Sequence, residues 1–275
     1  MKTVRKNWIA IVAILGSIVI FIAPFTFIVL TAVKGAQESS LMEFTWPSQF
    51  HIWDNIVAVF QARDYMLVTA FVNSTVLTVV SVTVLVLLSS MVAFVAQRRS
   101  SKWTKVLDAL VLSGLIIPPA IVPTIWVMQG LGIFKTLGGL ILIEVAFGMS
   151  FSVLLLRAFM ATIPRELDEA AIIDGAGSIR LFFQVVFPLL RSVIITLIVV
   201  QSVAIFNDFA NPLYFLPGDA GATVQLTLFN FQSQFETSWN LLFMNILLIT
   251  IPPLIMFLFF NRKIVAGMTA GAIKG

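Results

Sequence analysis

Cysteine is absent from the 275 residues, so neither disulfides nor thiolate metal sites form, and the redox compartment leaves no trace in the sequence. Charge is nearly as scarce. Asp, Glu, Lys and Arg make up 11% of the chain, against about 25% in soluble domains, which excludes a water-soluble globular protein. Histidine occurs once, as His51, with no second ligand at useful spacing, so the residues offer no metal site. No G-x-x-x-x-G-K-[ST] loop is present, which removes nucleotide hydrolysis by a phosphate-cradling loop. Linkers, low-complexity tracts and tandem repeats are also missing, so a single membrane domain over 1–275 is predicted.

What the chain does have is apolar length: 59% of residues are hydrophobic and the mean hydropathy is +1.03. About 20 apolar residues cross the roughly 30 Å of hydrocarbon in a bilayer. Six stretches reach that length: Trp8 to Val33, Met66 to Ala96, Val106 to Gln129, Leu137 to Thr162, Val185 to Leu216, and Leu241 to Phe260. The expected fold class is therefore all-α, a polytopic membrane protein with six transmembrane helices. The first run follows Lys2, Arg5 and Lys6 as a secretory leader would, but it far exceeds the about 7–15 residues of a leader core. It reads as a retained span.

Basic residues set the orientation, because Lys and Arg concentrate in cytoplasmic segments. Fourteen of the seventeen fall on one side: in the N-terminal tail, after the second span (Arg98, Arg99, Lys102, Lys105), after the fourth (Arg157, Arg165, Arg180, Arg191) and in the C-terminal tail. Lys34, Arg63 and Lys135 fall on the other. With an even number of spans, both tails are thus expected in the cytoplasm. The external side has a segment over 35–65 with Trp46 and Trp53, and a turn-rich one beginning at Leu216.

Four carboxylates interrupt this apolar chain at Glu166, Asp168, Glu169 and Asp174, on the cytoplasmic side. Buried in a bilayer each would cost at least a few kcal/mol, so the segment belongs in water or against a partner. Residues 167 to 188 read as two short helices around a bend. Glu166, Asp168 and Glu169 suit the positive end of a helix dipole, and Pro164 suits a helix start. Asp174-Gly175 supplies the bend. Leu181, Phe182, Val185 and Val186 form an apolar face projecting into the cytoplasm, and Pro188 closes the second helix. On the residues alone this is either an amphipathic loop resting on the membrane or a knob for a cytoplasmic groove.

Glu169-Ala170-Ala171, then Asp174-Gly175-Ala176, Phe182 and Pro188, resembles the signature of permeases of ABC importers. One departure is Ser192, where the family often has a second Pro; it implies a less bent start to the fifth span. Ile163 to Leu167, Leu131 to Thr136, Phe206 to Phe209 with Pro212-Leu213, and the tail Lys263 to Gly275 are similar to carbohydrate-type members, the tail to the second permease of maltose-type transporters. The resemblance implies that Glu169, Ala170, Ala171, Asp174, Gly175, Ala176, Phe182 and Pro188 dock a cytoplasmic ABC ATPase dimer. It implies a second permease subunit, in a heterodimer, and an extracytoplasmic solute-binding protein. It implies no cofactor on this chain, ATP and Mg being held by the ATPase, and a tail near the ATPase interface.

Inside the spans, Asn207, Asp208 and Asn211 are candidates for a substrate pathway. Asn207 and Asn211 are four residues apart on one helix face, and carboxamides and carboxylates supply the donors and acceptors a sugar needs. The alternative is interhelical hydrogen bonding. Glu144 reads as interfacial, or as an ion-coupling carboxylate. Pro118-Pro119 and Pro252-Pro253 predict kinks or breaks. The function the resemblance implies is ATP-driven, binding-protein-dependent import of a sugar or oligosaccharide, with an ion-coupled secondary carrier and an ABC permease for a non-sugar solute as alternatives.

Overall fold

The computed structural model describes residues 2–231 and 237–270, and side chains at 8, 12–14, 16–219, 221–229, 231 and 237–260. Among the described residues the regular structure is helical, without a β-strand. In chain order the helices are α1 (Lys2–Ala32), α2 (Ala36–Ser40), α3 (Ile52–Arg98), α4 (Lys102–Ile116), α5 (Ile121–Gly130), α6 (Leu137–Met160) and α7 (Glu166–Ile173). They continue with α8 (Ser178–Arg180), a π turn (Leu181–Val186), α9 (Phe187–Leu189), α10 (Arg191–Phe206), α11 (Ala210–Phe215) and α12 (Trp239–Ala270).

Among the described residues four helices are long and apolar enough to cross a membrane: Val12–Ala32, Ile52–Arg98, Leu137–Met160 and Trp239–Phe260. The third and fifth expected spans are each broken. The stretch from Val106 to Gln129 divides into α4 and α5 because Ile117, preceding Pro118, is forced to extended backbone (φ −80°, ψ 122°). Pro123 is accommodated in the first turn of α5, where a missing N–H costs nothing. The stretch from Val185 to Leu216 divides at 207–209 into α10 and α11. Pro252-Pro253 remain inside α12. The expected tail falls outside the described residues beyond Ala270, and before it only helical backbone is described.

The chain forms two compact units, Met1–Ala70 with Val224–Ile251, and Phe71–Thr223 with Pro252–Gly275. In the first, Lys34 is buried at 1% exposure. Its ammonium donates to the Glu43 carbonyl (2.9 Å) and to Thr45 Oγ1 (2.8 Å), pinning the segment after α2. Asn55 Nδ2 ties off the end of α1 through the carbonyls of Ala32 and Lys34, and Asn240 Nδ2 donates to Asn55 Oδ1. His51, expected to stand alone, places Nδ1 3.3 Å from Asp54.

In the second unit α6 is the central helix, packed against α4, α10 and α11. Small residues allow the close approach. A Cβ on Gly114 would collide with Ser150, and one on Gly148 would lie 2.8 Å from Leu85. Gln201 Nε2 donates to Ser152 Oγ across α10 and α6 at 3.2 Å. At the basic end, Arg157 of α6 is ion-paired with Asp108 of α4.

Candidate functional site

Helix α7 begins where the Arg165 carbonyl accepts from the amides of Asp168 (2.9 Å) and Glu169 (3.1 Å). Pro164 precedes this cap rather than occupying the first turn. The three acidic residues of that turn favour the positive end of the dipole. The helix ends in a complete Schellman closure: Ala176 N–H donates to the Ala171 carbonyl at 2.9 Å and Gly175 N–H to that of Ile172 at 3.0 Å. Closure requires Gly175 at φ +80°, a region that disfavours other L residues. Asp174 is the C-cap. A carboxylate at the negative end of a helix opposes the dipole, so stability of α7 does not explain it.

The outer surface of this knob is both acidic and apolar. Glu169, Ala170 and Asp174 are exposed, and Ile172, Ile173 and Ile179 stand 58%, 84% and 78% exposed around them. Large aliphatic side chains and charge are thus grouped on one exposed surface. Ala171 and Ala176 are half-buried, Ala171 against the core.

The second leg corrects one expectation. Leu181, Phe182 and Val186 do not project outward; each is buried at 6% exposure or less. Phe182 packs its ring 5.4 Å from Phe94 and 5.7 Å from Phe187, so it supports the knob from within. The π turn ends two residues before Pro188, whose missing N–H and ring disfavour a regular α-turn. Pro188 itself is exposed. With Ser192 in place, the segment Ser178–Leu189 still meets Arg191–Phe206 at 76°, so the bend does not need a second proline.

Asn207, Asp208 and Asn211 are brought close but not onto one continuous helix. Asp208 Oδ1 accepts from the amides of Ala210 (2.8 Å) and Asn211 (3.3 Å), capping α11 and ending the run of α10. Asn207 Nδ2 donates to the Val203 carbonyl at 2.9 Å. Asn211 Nδ2 donates to Glu144 Oε1 at 3.2 Å. Glu144 is 6% exposed, so it is a buried partner of the broken span and not an interfacial residue. Glu144→Leu is expected to destabilise the folded protein by about 1–3 kcal/mol, because the Asn211 carboxamide loses its acceptor. Glu144→Gln, which keeps an acceptor, should lose less; thermal unfolding in detergent measures both.

Several features on and behind the knob escaped the sequence reading. Asp168 appeared there only as a dipole residue and Arg98 only as an inside anchor, yet they form an ion pair. Ile173 and Ile179 lay hidden in a hydrophobic chain where exposure has no sequence signal. Glu144 and Asn211 are separated by 67 residues.

The described residues thus form a set of apolar helices, two of the expected spans broken, with an exposed acidic and apolar knob between α6 and α10. The chain belongs to the family of binding-protein-dependent transport system inner membrane components, whose pattern matches residues 85–270. It is 31% identical to the melibiose/raffinose/stachyose import permease protein MelC of Bacillus subtilis (strain 168), over the full length of both chains. It is 30% identical to the probable starch degradation products transport system permease protein AmyC of Thermoanaerobacterium thermosulfurigenes, over 98% of each. Its fold is similar to a chain in the crystal structure of a bacterial ABC transporter that imports the acidic polysaccharide alginate. That likeness has a TM-score of 0.82 at 17% identity and covers 95% of this chain and 98% of the other. The protein is thus a multi-pass inner-membrane permease.

Proposed function

We propose that this chain is the permease subunit of an ATP-driven, binding-protein-dependent importer of a sugar or oligosaccharide. The relatives named for melibiose, raffinose, stachyose and starch products support the substrate class. The observation that carries the mechanism is the acidic and apolar knob built by α7 and its Schellman turn, which offers a cytoplasmic ABC ATPase dimer a charged and greasy surface. That partner binds ATP and Mg; this chain binds neither. Closure of the ATPase moves the knob, and the spans alternate between two states biased by differential binding at it.

A second permease completes the membrane pair, in a heterodimer, and an extracytoplasmic binding protein delivers solute. Both termini are cytoplasmic, as the distribution of basic residues implies. The six crossings include the two broken spans. Asn207, Asp208 and Asn211 line or brace the solute path at the break in the fifth.

The test is transport in vesicles holding the purified complex. Sugar uptake should require ATP together with loaded binding protein, and an imposed proton gradient without ATP should drive none. Uptake powered by the gradient, with no ATPase present, would instead establish the secondary-carrier reading.

A further inference from the structure

Asp168 lies in the docking helix but is turned away from the docking surface. Its carboxylate folds back onto Arg98 in the last turn of α3, with Nε 2.6 Å from Oδ2 and Nη2 3.4 Å from Oδ1. Both side chains are nearly enclosed, at 10% and 12% exposure. The same guanidinium donates from Nη1 and Nη2 to the Ile163 carbonyl at 3.3 Å, gripping the chain just before α7. Arg165 reaches back in the opposite sense, Nη2 donating to the Gln97 carbonyl at 3.2 Å.

These contacts are discrete. Beside them lies a half-open pocket of about 390 Å³, lined among others by Phe94, Arg98, Arg165, Asp168, Glu169 and Leu181. Phe94, on the wall of that pocket, also meets the Phe182 ring at 5.4 Å. The docking helix itself is therefore held to α3 by the Arg98–Asp168 pair and by the backbone grips of Arg98 on Ile163 and Arg165 on Gln97, while the aromatic contact belongs to the π turn that follows it.

Stability of α7 does not call for the ionic joint. Glu166 and Glu169 already supply carboxylates to the first turn. Enclosing an ion pair costs desolvation that only close geometry offsets, and the return is a fixed orientation of two elements. We propose that the Arg98–Asp168 pair is the linkage that passes displacement of the docking helix to α3. Both are positioning residues for transport and neither contacts the ATPase. This rests on the docking role proposed above.

The test uses the complete complex in lipid vesicles, with Asp168→Asn, Arg98→Gln, and the reciprocal pair Arg98→Asp with Asp168→Arg. The single variants should keep their bound ATPase and its basal hydrolysis. Sugar taken up per ATP hydrolysed should fall about tenfold, the size of an ordinary coupling between sites. The reciprocal pair should regain part of that loss, because attraction is restored with the charges exchanged. Unchanged uptake per ATP in both single variants would overturn the linkage. So would loss of bound ATPase in step with uptake, which is what a purely structural pair would give.

Glu169→Lys with Asp174→Lys is run alongside. If it loses the ATPase while the single variants transport normally, the linkage alone is wrong. If it keeps the ATPase, docking at the knob is wrong and the linkage falls with it.

Discussion

Reversing two carboxylates on the knob, Glu169→Lys with Asp174→Lys, is expected to abolish co-purification of the ATPase and leave the permease in the membrane. Both residues are exposed, so the chain itself loses little by the change. Asp174 even opposes its own helix dipole, so Lys there is locally favourable to α7. The loss falls on the partner. Disrupting a charge pair that becomes enclosed in an interface costs about 2–5 kcal/mol, and two such losses weaken binding by a factor of about a thousand or more. Affinity capture through a tag on the permease, followed by quantification of bound ATPase, gives the answer. Undiminished recovery would remove the knob as the docking element.

Gly175→Pro should have an effect as large by another route. Proline cannot adopt φ +80° and has no N–H to give the Ile172 carbonyl, so the Schellman closure cannot form. The chain would leave α7 in a different direction, carrying Ile179 away from Ile173 and Asp174. Gly175→Ala is the graded control. Nothing lies within 4 Å of an added Cβ, so its only penalty is the left-handed backbone, about 1–2 kcal/mol. The expected order of retained ATPase is wild type, then Ala, with Pro at background, while membrane insertion is unchanged in all three. Full retention by the Pro variant would show that the turn does not shape the docking surface.

Much of this architecture was legible in the residues. Long apolar runs placed α1, α6 and α12, since a bilayer leaves few other uses for such segments. The Asp174-Gly175 bend was legible because only a few residue types tolerate that backbone, and Pro118-Pro119 announced a broken span. The facing of the second leg was not. Periodicity identifies an apolar stripe but not the side to which it turns, and the π turn at Leu181–Val186 shifts the stripe from regular α spacing. Pairings between distant residues were also silent. Arg98 and Asp168 lie 70 positions apart, and each had a sufficient local explanation. Glu144 shows the same limit: its cost in a membrane was evident, while its partner was set by how α11 meets α6.

The interruption at Ile117–Ala120 has a consequence for how the protein is solvated. Peptide groups released from helical bonding cannot face hydrocarbon, because nothing there replaces the lost hydrogen bonds. Ile116, just before the interruption, and Ile117, its first residue, stand 76% and 65% exposed, so the described residues do not cover it. In the assembled transporter that stretch of bare backbone must turn inward, to a neighbouring subunit or to a wet passage. The two prolines thereby divide the perimeter of the molecule into a sector that acyl chains can wet and one from which they are shut out.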